Sequence, residues 1–409
     1  MKTLQVTTWD AVGQNFNGYK LHQALRVQGH DSHMAVMSSS LDDPAIHELE
    51  GPILLRANRF LSRAERFLSL HSVLPVASLA LYGQPWYYDA DLLHLQLLHG
   101  GQFFSLFNLP IMSRKRPCLW TLHDPWMTTG HCIHPLDCPR WQTGCGSCPD
   151  LGLPIVARGD NTALAWKIKR WVMARGNIEL VVSSPWMEQR VSQSPILGHL
   201  PVHRIPFGLD PAIFHEQDKA ACRAAFAIPP KAKVLAFRES APSYRLKGIE
   251  YIVQALERLE ASEPVFMLAF EGRGEVTFPR HKYVTIELGW VNDPQLLATA
   301  LGAADMFLMP SLAESFGLMA VEAMACGTVP IVFEGTALPG VIGDGGVTVP
   351  SQDSEALAGA IARLWDDEQE YAALRDRGLE IVKQDYTLEL YVRRHLELYQ
   401  GLVERARGG

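Results

Sequence analysis

Short apolar runs alternate with amphipathic helical stretches along most of this chain. In the first half the runs predict strands over residues 4–8, 32–37, 92–96, 118–122, 179–183 and 202–205, with helices over 19–28 and 162–174. In the second half they predict strands over 233–237, 265–270, 283–286, 306–309 and 329–333, with helices over 248–259, 293–301 and 318–325. Strands separated by helices pair in parallel, so each half is expected to form a doubly wound α/β sheet of the Rossmann type. Ligands of such sheets sit beyond the carboxyl ends of the strands, which leads us to expect two domains facing a cleft. The turn-rich run Pro206-Phe207-Gly208-Leu209-Asp210-Pro211 reads as the linker. The expected division is an N-terminal domain over 1–206, a C-terminal domain over 207–385, and a final helix over 386–409 that returns to the first domain.

Composition narrows the class. The 409 residues are 47% hydrophobic and 20% charged, too apolar for a disordered chain and long enough for two cores. A formal charge of −7 argues against a nucleic-acid partner. The charge is uneven: residues 1–204 carry 18 Lys and Arg against 15 Asp and Glu, and the remainder 19 against 29. The first half is therefore expected to face something anionic. Met1-Lys2-Thr3-Leu4-Gln5-Val6 lacks the apolar core of a signal peptide and reads as a strand, and the apolar run 73–82 is far short of the ~20 residues of a spanning helix. A cytoplasmic location, peripheral at the inner face of a membrane, is the expectation.

The richest segment runs from Pro310 to Pro330. A strand ends at Met309, a loop carries Glu314, and a helix opens near Gly317 with free backbone N–H groups suited to phosphate or sugar hydroxyls. Glu322 follows about one turn into that helix. Two Glu eight apart, taken alone, also fit a solvated helix face. Glu314-x7-Glu322 followed by Ala-Met-Ala-Cys-Gly-Thr-Val-Pro resembles the signature of the retaining glycosyltransferases of family four, which have the GT-B fold. Tyr244-Arg245-Leu246-Lys247-Gly248, Arg204-Ile205-Pro206-Phe207-Gly208, Val181-Val182-Ser183-Ser184-Pro185 and Ala303-Ala304-Asp305-Met306 resemble further segments of that family, in order.

The resemblance implies a transferase that moves a sugar from a UDP- or GDP-sugar to a glycan or lipid-linked saccharide acceptor in polysaccharide biosynthesis, with no cofactor for catalysis. It implies that Lys247 and Arg238 neutralise the donor diphosphate and that Glu322 binds the ribose. Glu314 would contact the transferred sugar, with backbone donors from Ser315, Phe316, Gly317 and Leu318. It also places His123, at the end of strand 118–122, at the reaction centre. Asp124 either orients His123 or caps the next turn. Relatives carry adjacent glycines in the first loop, where this chain has Gly13 and Gly18 separated by bulky polar residues. Rival readings are a nucleotide-sugar epimerase of the same architecture and a non-catalytic partner in a polysaccharide assembly complex.

Two features stand outside this set. Cys132, Cys138, Cys145 and Cys148 crowd an insertion over 131–149, resembling one in colanic-acid-type exopolysaccharide transferases. They suit a structural Zn²⁺ of tetrahedral type, with free thiols and disulfides as alternatives. Arg56, Arg59, Arg63 and Arg66 recur at helical spacing beside Phe60 and Phe67, and Trp166-Lys167-Ile168-Lys169-Arg170-Trp171 repeats the theme. Each reads either as a surface for anionic lipid or as a solvated face packed on the core. Asp89-x-Asp91, which invites a metal-site reading, fits better as the approach to the strand at 92–96.

Overall fold

The computed structural model describes residues 1–10, 18–49, 52–99, 103–238, 245–260, 263–271 and 282–408. The chain forms two compact units, one of Met1–Ser183, Met187–Ile205 and Val392–Gly409, the other of Ser184–Trp186 and Pro206–Tyr391.

The first unit holds β1 (Lys2–Trp9), β2 (Asp31–Ser38), β3 (Ile46–Glu48), β4 (Leu92–Leu95), β5 (Cys118–Leu122), β6 (Glu179–Val182) and β7 (Val202–Arg204), in the order β3-β2-β1-β4-β5-β6-β7. The second holds β8 (Val234–Arg238), β9 (Val265–Phe270), β10 (Tyr283–Gly289), β11 (Met306–Met309), β12 (Val329–Phe333) and β13 (Val347–Val349), in the order β10-β9-β8-β11-β12-β13. Every pairing is parallel. These are the two doubly wound sheets that the alternation predicts. The central strands β5, β11 and β12 are buried at every residue, which is why they read as unbroken apolar runs rather than alternating ones. The three-residue edge strands β3 and β13 escape the sequence pattern, whereas the equally short edge strand β7 is found by it.

The second unit's core packs the helices Ile249–Arg258 and Ser354–Asp366 on its sheet, through Ile252, Leu256, Leu357 and Ile361 against Leu235, Met267, Ile331 and Phe333. The last helix, Leu388–Gly408, contributes its residues from Val392 onward to the first unit. There Arg405 pairs with Glu179 at 2.8 Å, and Arg407 with Asp91 at 2.9 Å. Asp91 also accepts the Lys2 backbone N–H at 2.8 Å, so this carboxylate fastens chain ends rather than facing a metal. Deeper in, the Tyr399 hydroxyl lies 2.5 Å from Nδ1 of His94, whose Nε2 lies 2.7 Å from Thr121 Oγ1. Burial holds His94 neutral, well below the usual histidine range.

Tyr399→Phe removes the closest partner of a fully buried ring nitrogen, and the expected cost is about 1–3 kcal/mol of unfolding free energy. Urea titration of the two proteins measures it; a change below about 0.5 kcal/mol would show that the helix is not held through His94.

Candidate functional site

In the second sheet the strand order reverses between β8 and β11, where doubly wound sheets bind their ligands. Arg238 ends β8, and the loop 310–317 leaves β11 on the other side of the reversal. Sequence chemistry builds this loop tightly. Leu312 N–H donates to Leu246 O at 2.8 Å, and Ala337 N–H to Glu314 O at 3.1 Å. Ser184 Oγ donates to Ser315 O at 2.6 Å, and Phe316 packs edge-on to Phe207 and Tyr386. Gly317, at φ +91°, caps the helix Leu318–Ala325, and a Cβ there would lie 2.2 Å from Leu338. Gly248, at φ +71°, lets the Lys247 turn press on Pro310, where a Cβ would lie 1.9 Å from the carbonyl oxygen.

That scaffold brings the expected cations to carboxylates. Lys247 Nζ donates to Glu314 Oε1. Arg238 Nε donates to Glu271 Oε2 at 2.5 Å, and Glu271, which follows β9, holds φ +60°. All four groups are at least two-thirds shielded from solvent. Glu322 is buried on the helix Leu318–Ala325. Ser315 is buried, and its hydroxyl has no hydrogen-bond partner among the described residues. Glu271 is absent from the expected set, because only the pairing of β8 with β9 sets it beside Arg238.

In the first unit, His123 follows β5 and its Nε2 lies 3.0 Å from Gln96 Oε1, at the end of β4. Burial pushes His123 down to about 4 although Asp124 pulls the other way. Asp124 does cap the next turn: Oδ1 accepts the Trp126 N–H at 2.9 Å, while Oδ2 meets His99 Nε2 at 3.2 Å. Burial alone would raise the Asp124 carboxyl, but the His99 charge and hydrogen bond hold it at about 2. His99 in turn stacks on Trp126, 4.7 Å between ring centres. Gly13 lies outside the described residues.

Beneath this loop lies a group that sequence reading turned the wrong way. Lys169 is buried, donating from Nζ to Trp126 O at 2.6 Å and Thr129 O at 3.0 Å, with the ammonium 3.6 Å above the Trp126 ring. Burial pulls it down to about 7. Trp166 is buried too, donating Nε1–H to Trp141 O at 3.1 Å. Helical periodicity splits the 166–171 run, leaving Lys167, Arg170 and Trp171 outside.

The cysteine set also needs correction. Cys132, Cys138, Cys145 and Cys148 are unpaired, and among the described residues no group of three or more His, Cys, Asp or Glu is placed to hold a metal ion. Two of the sulfurs have local partners: Cys145 Sγ accepts the Gly130 N–H at 3.2 Å, and Cys148 Sγ lies 3.3 Å from His131 Nε2. Burial pushes the Cys132 thiol up to about 11 and raises Cys145 and Cys148. The tetrahedral zinc set is not assembled, and the disulfides are not formed.

Burial also lowers His22 and His71 to about 4. The unfolded chain binds protons at these three histidines below about pH 6.5 and the folded one only below about pH 4, so stability falls on acidification through that window. His123→Asn is expected to make the fall shallower, measured as urea midpoints across the same range; an unchanged slope would show that His123 titrates normally.

Comparison with known proteins agrees with this geometry. Residues 232–367 match the family model described as glycosyl transferases group 1, a span that contains Arg238, Lys247, Glu314 and Glu322 but not His123. A D-inositol 3-phosphate glycosyltransferase of Segniliparus rotundus is 32% identical over 52% of this chain and 54% of its own. The chain thus spans about half the length of the curated relatives it matches. Among solved structures, a sucrose-phosphate synthase from Thermosynechococcus elongatus superposes with a TM-score of 0.68 at 19% identity, covering 99% of this chain and 100% of that one. An Anabaena protein solved in complex with UDP superposes at 0.66 and 15% identity, covering 98% and 100%. With two parallel sheets of this order, the chain has the GT-B fold, and the segment that holds the paired cations is the one that matches the model of glycosyl transferases group 1.

Proposed function

We propose that this protein is a retaining glycosyltransferase that takes a sugar from a UDP- or GDP-sugar and passes it to a glycan or lipid-linked saccharide. The observation that carries the reading is the set of two shielded cations at the β8/β11 reversal, each fixed by a carboxylate, beside the unpartnered Ser315 hydroxyl. In this reading Lys247 and Arg238 offset the charge that builds on a leaving diphosphate as the bond to the anomeric carbon breaks. Ser315 and the backbone from Phe316 to Leu318 supply donors, Glu322 binds ribose, and Glu314 and His123 bind the transferred sugar, with Asp124 setting the loop that carries His123.

Retention is assigned to a front-face displacement. The acceptor oxygen bonds to the anomeric carbon on the side the diphosphate leaves, and the acceptor proton passes to the departing phosphate oxygen. No protein nucleophile enters.

The acceptor class follows from the helix Pro52–Phe67, which is amphipathic in the inverted sense. It turns Asn58, Ser62 and Glu65 inward: Asn58 Oδ1 accepts the Val76 and Ala77 N–H groups, and Glu65 Oε1 those of Val73 and Leu74. Outward, Ile53, Phe60 and Phe67 recur every seven residues, 81%, 71% and 77% exposed. Arg56, Arg59, Arg63 and Arg66 flank that stripe, exposed and without an ion-pair partner among the described residues. An apolar stripe edged by four cations fits an anionic lipid surface, where a lipid-linked acceptor resides. No helix among the described residues is long and apolar enough to cross a membrane.

Calorimetry with UDP, GDP, ADP and their sugar conjugates tests the donor site. One nucleotide is expected to bind, weakened about tenfold or more in Lys247→Ala and in Glu322→Ala, the scale of a lost charged hydrogen bond. A folded protein that binds none of them would overturn the transferase reading in favour of an assembly partner, and a donor sugar altered without acceptor would favour the epimerase. For the surface, the protein is expected to co-sediment with phosphatidylglycerol vesicles but not with phosphatidylcholine ones, and Phe60→Ser with Arg63→Glu is expected to release it. Equal recovery from both vesicle types would remove the membrane reading.

A further inference from the structure

Three adjacent strands of the first sheet carry polar side chains into a space that otherwise excludes water. Gln5 lies in β1, Gln96 ends β4, and His123 follows β5, in the sheet order β1-β4-β5. Gln5 and Gln96 are essentially inaccessible, at 0% and 1% exposure. The side chains form a row: Gln96 Nε2 donates to Gln5 Oε1 at 3.2 Å, and Gln96 Oε1 faces His123 Nε2 at 3.0 Å. The Gln96 backbone is held as well, its carbonyl accepting the Trp120 indole N–H at 3.0 Å. At the far end of the row Gly18 opens the helix Tyr19–Val27, and a Cβ there would lie 1.9 Å from Gln5 Oε1 and 2.9 Å from Gln96 Nε2. The row therefore leaves no room for a side chain at position 18.

A carbonyl oxygen only accepts, so the nitrogen facing it must carry hydrogen. With Gln96 donating to Gln5, the direction of the whole row is set. We infer that Gln96 is a positioning residue that fixes His123 as the Nε2–H tautomer, so that Nδ1 carries the ring's lone pair and can meet only a hydrogen-bond donor. The expected effect on transfer rests on the reading of His123 as a contact to the transferred sugar. The low protonation range of His123 keeps the ring neutral, and the charged or titratable groups beside it are Asp124, His99 and, through Gln96, His94. The reverse row, with both amides turned about, would make Nε2 the acceptor and Nδ1 the donor.

Histidine-selective ¹⁵N labelling reads the tautomer directly in the ligand-free protein, with the His123 signals identified by their loss in His123→Asn. Long-range ¹H–¹⁵N spectra near neutral pH are expected to show a protonated Nε2 and an unprotonated Nδ1; the opposite pattern overturns the inference. Gln96→Leu is expected to mix the two tautomers and to lower kcat about tenfold, the order of one lost hydrogen bond to a buried group, while nucleotide affinity stays unchanged. Gln96→Glu, which keeps an acceptor at the same place, is expected to restore the Nε2–H pattern and to raise the His123 titration. If Gln96→Leu leaves the tautomer unaltered, the positioning role fails. If the tautomer mixes but transfer from a neutral-sugar donor runs at the wild-type rate, the positioning stands and the reading of His123 as a sugar contact fails instead.

Discussion

The second unit turns on holding cations close to carboxylates beyond the carboxyl ends of its central strands without losing the fold. Arg238 and Lys247 approach the same strand reversal, and each is neutralised by a carboxylate from a neighbouring strand end, Glu271 after β9 and Glu314 after β11. Partly shielded ion pairs of this kind gain from a lowered dielectric only if their geometry is enforced. The enforcement comes from the loop 310–317, tied to Leu246, Ala337 and Ser184 by hydrogen bonds and to Phe207 and Tyr386 by its phenylalanine. Two glycines at positive φ make that closeness sterically allowed.

The first unit meets the same problem with neutral groups. Burying glutamine and histidine side chains is costly unless each polar atom finds a partner. Here His94 is bracketed by Tyr399 and Thr121, and His123 by Gln96. The charged exceptions, Asp124 and Lys169, are matched one by one: the carboxylate by His99 and a backbone N–H, the ammonium by two carbonyls and an indole face. Both act on the turn Pro125–Thr128 that follows His123. That turn is thus held from above by a carboxylate and from below by a lysine, so the position of His123 depends on groups far away in sequence.

The helix Pro52–Phe67 shows the inverse economy. Its polar inward face satisfies the backbone of the segment 73–77, and its apolar face is left outside. A reading by hydrophobic periodicity finds the helix and assigns its faces by convention, and here the convention fails because an irregular segment without secondary-structure partners needs the side-chain acceptors more than the core needs the phenylalanines.

What the sequence determined by itself was whatever rests on local or periodic physics. Parallel strands buried on both faces must be continuous apolar runs, so the two doubly wound sheets were legible; Glu314, Lys247 and Glu322 stand out only through their resemblance to a family's ordered segments. Tertiary structure alone decided the partners. Gln96 and His123 are 27 residues apart, and Arg238 and Glu271 are 33 apart. Lys169 reads as surface until helical packing turns it inward, and the four clustered cysteines read as a zinc set, whereas among the described residues the fold places no three ligating groups to hold a metal ion. A side chain's type and spacing record what it could bind, but its protonation and its partner follow from which strands become neighbours, and sheet order is a property of the whole chain.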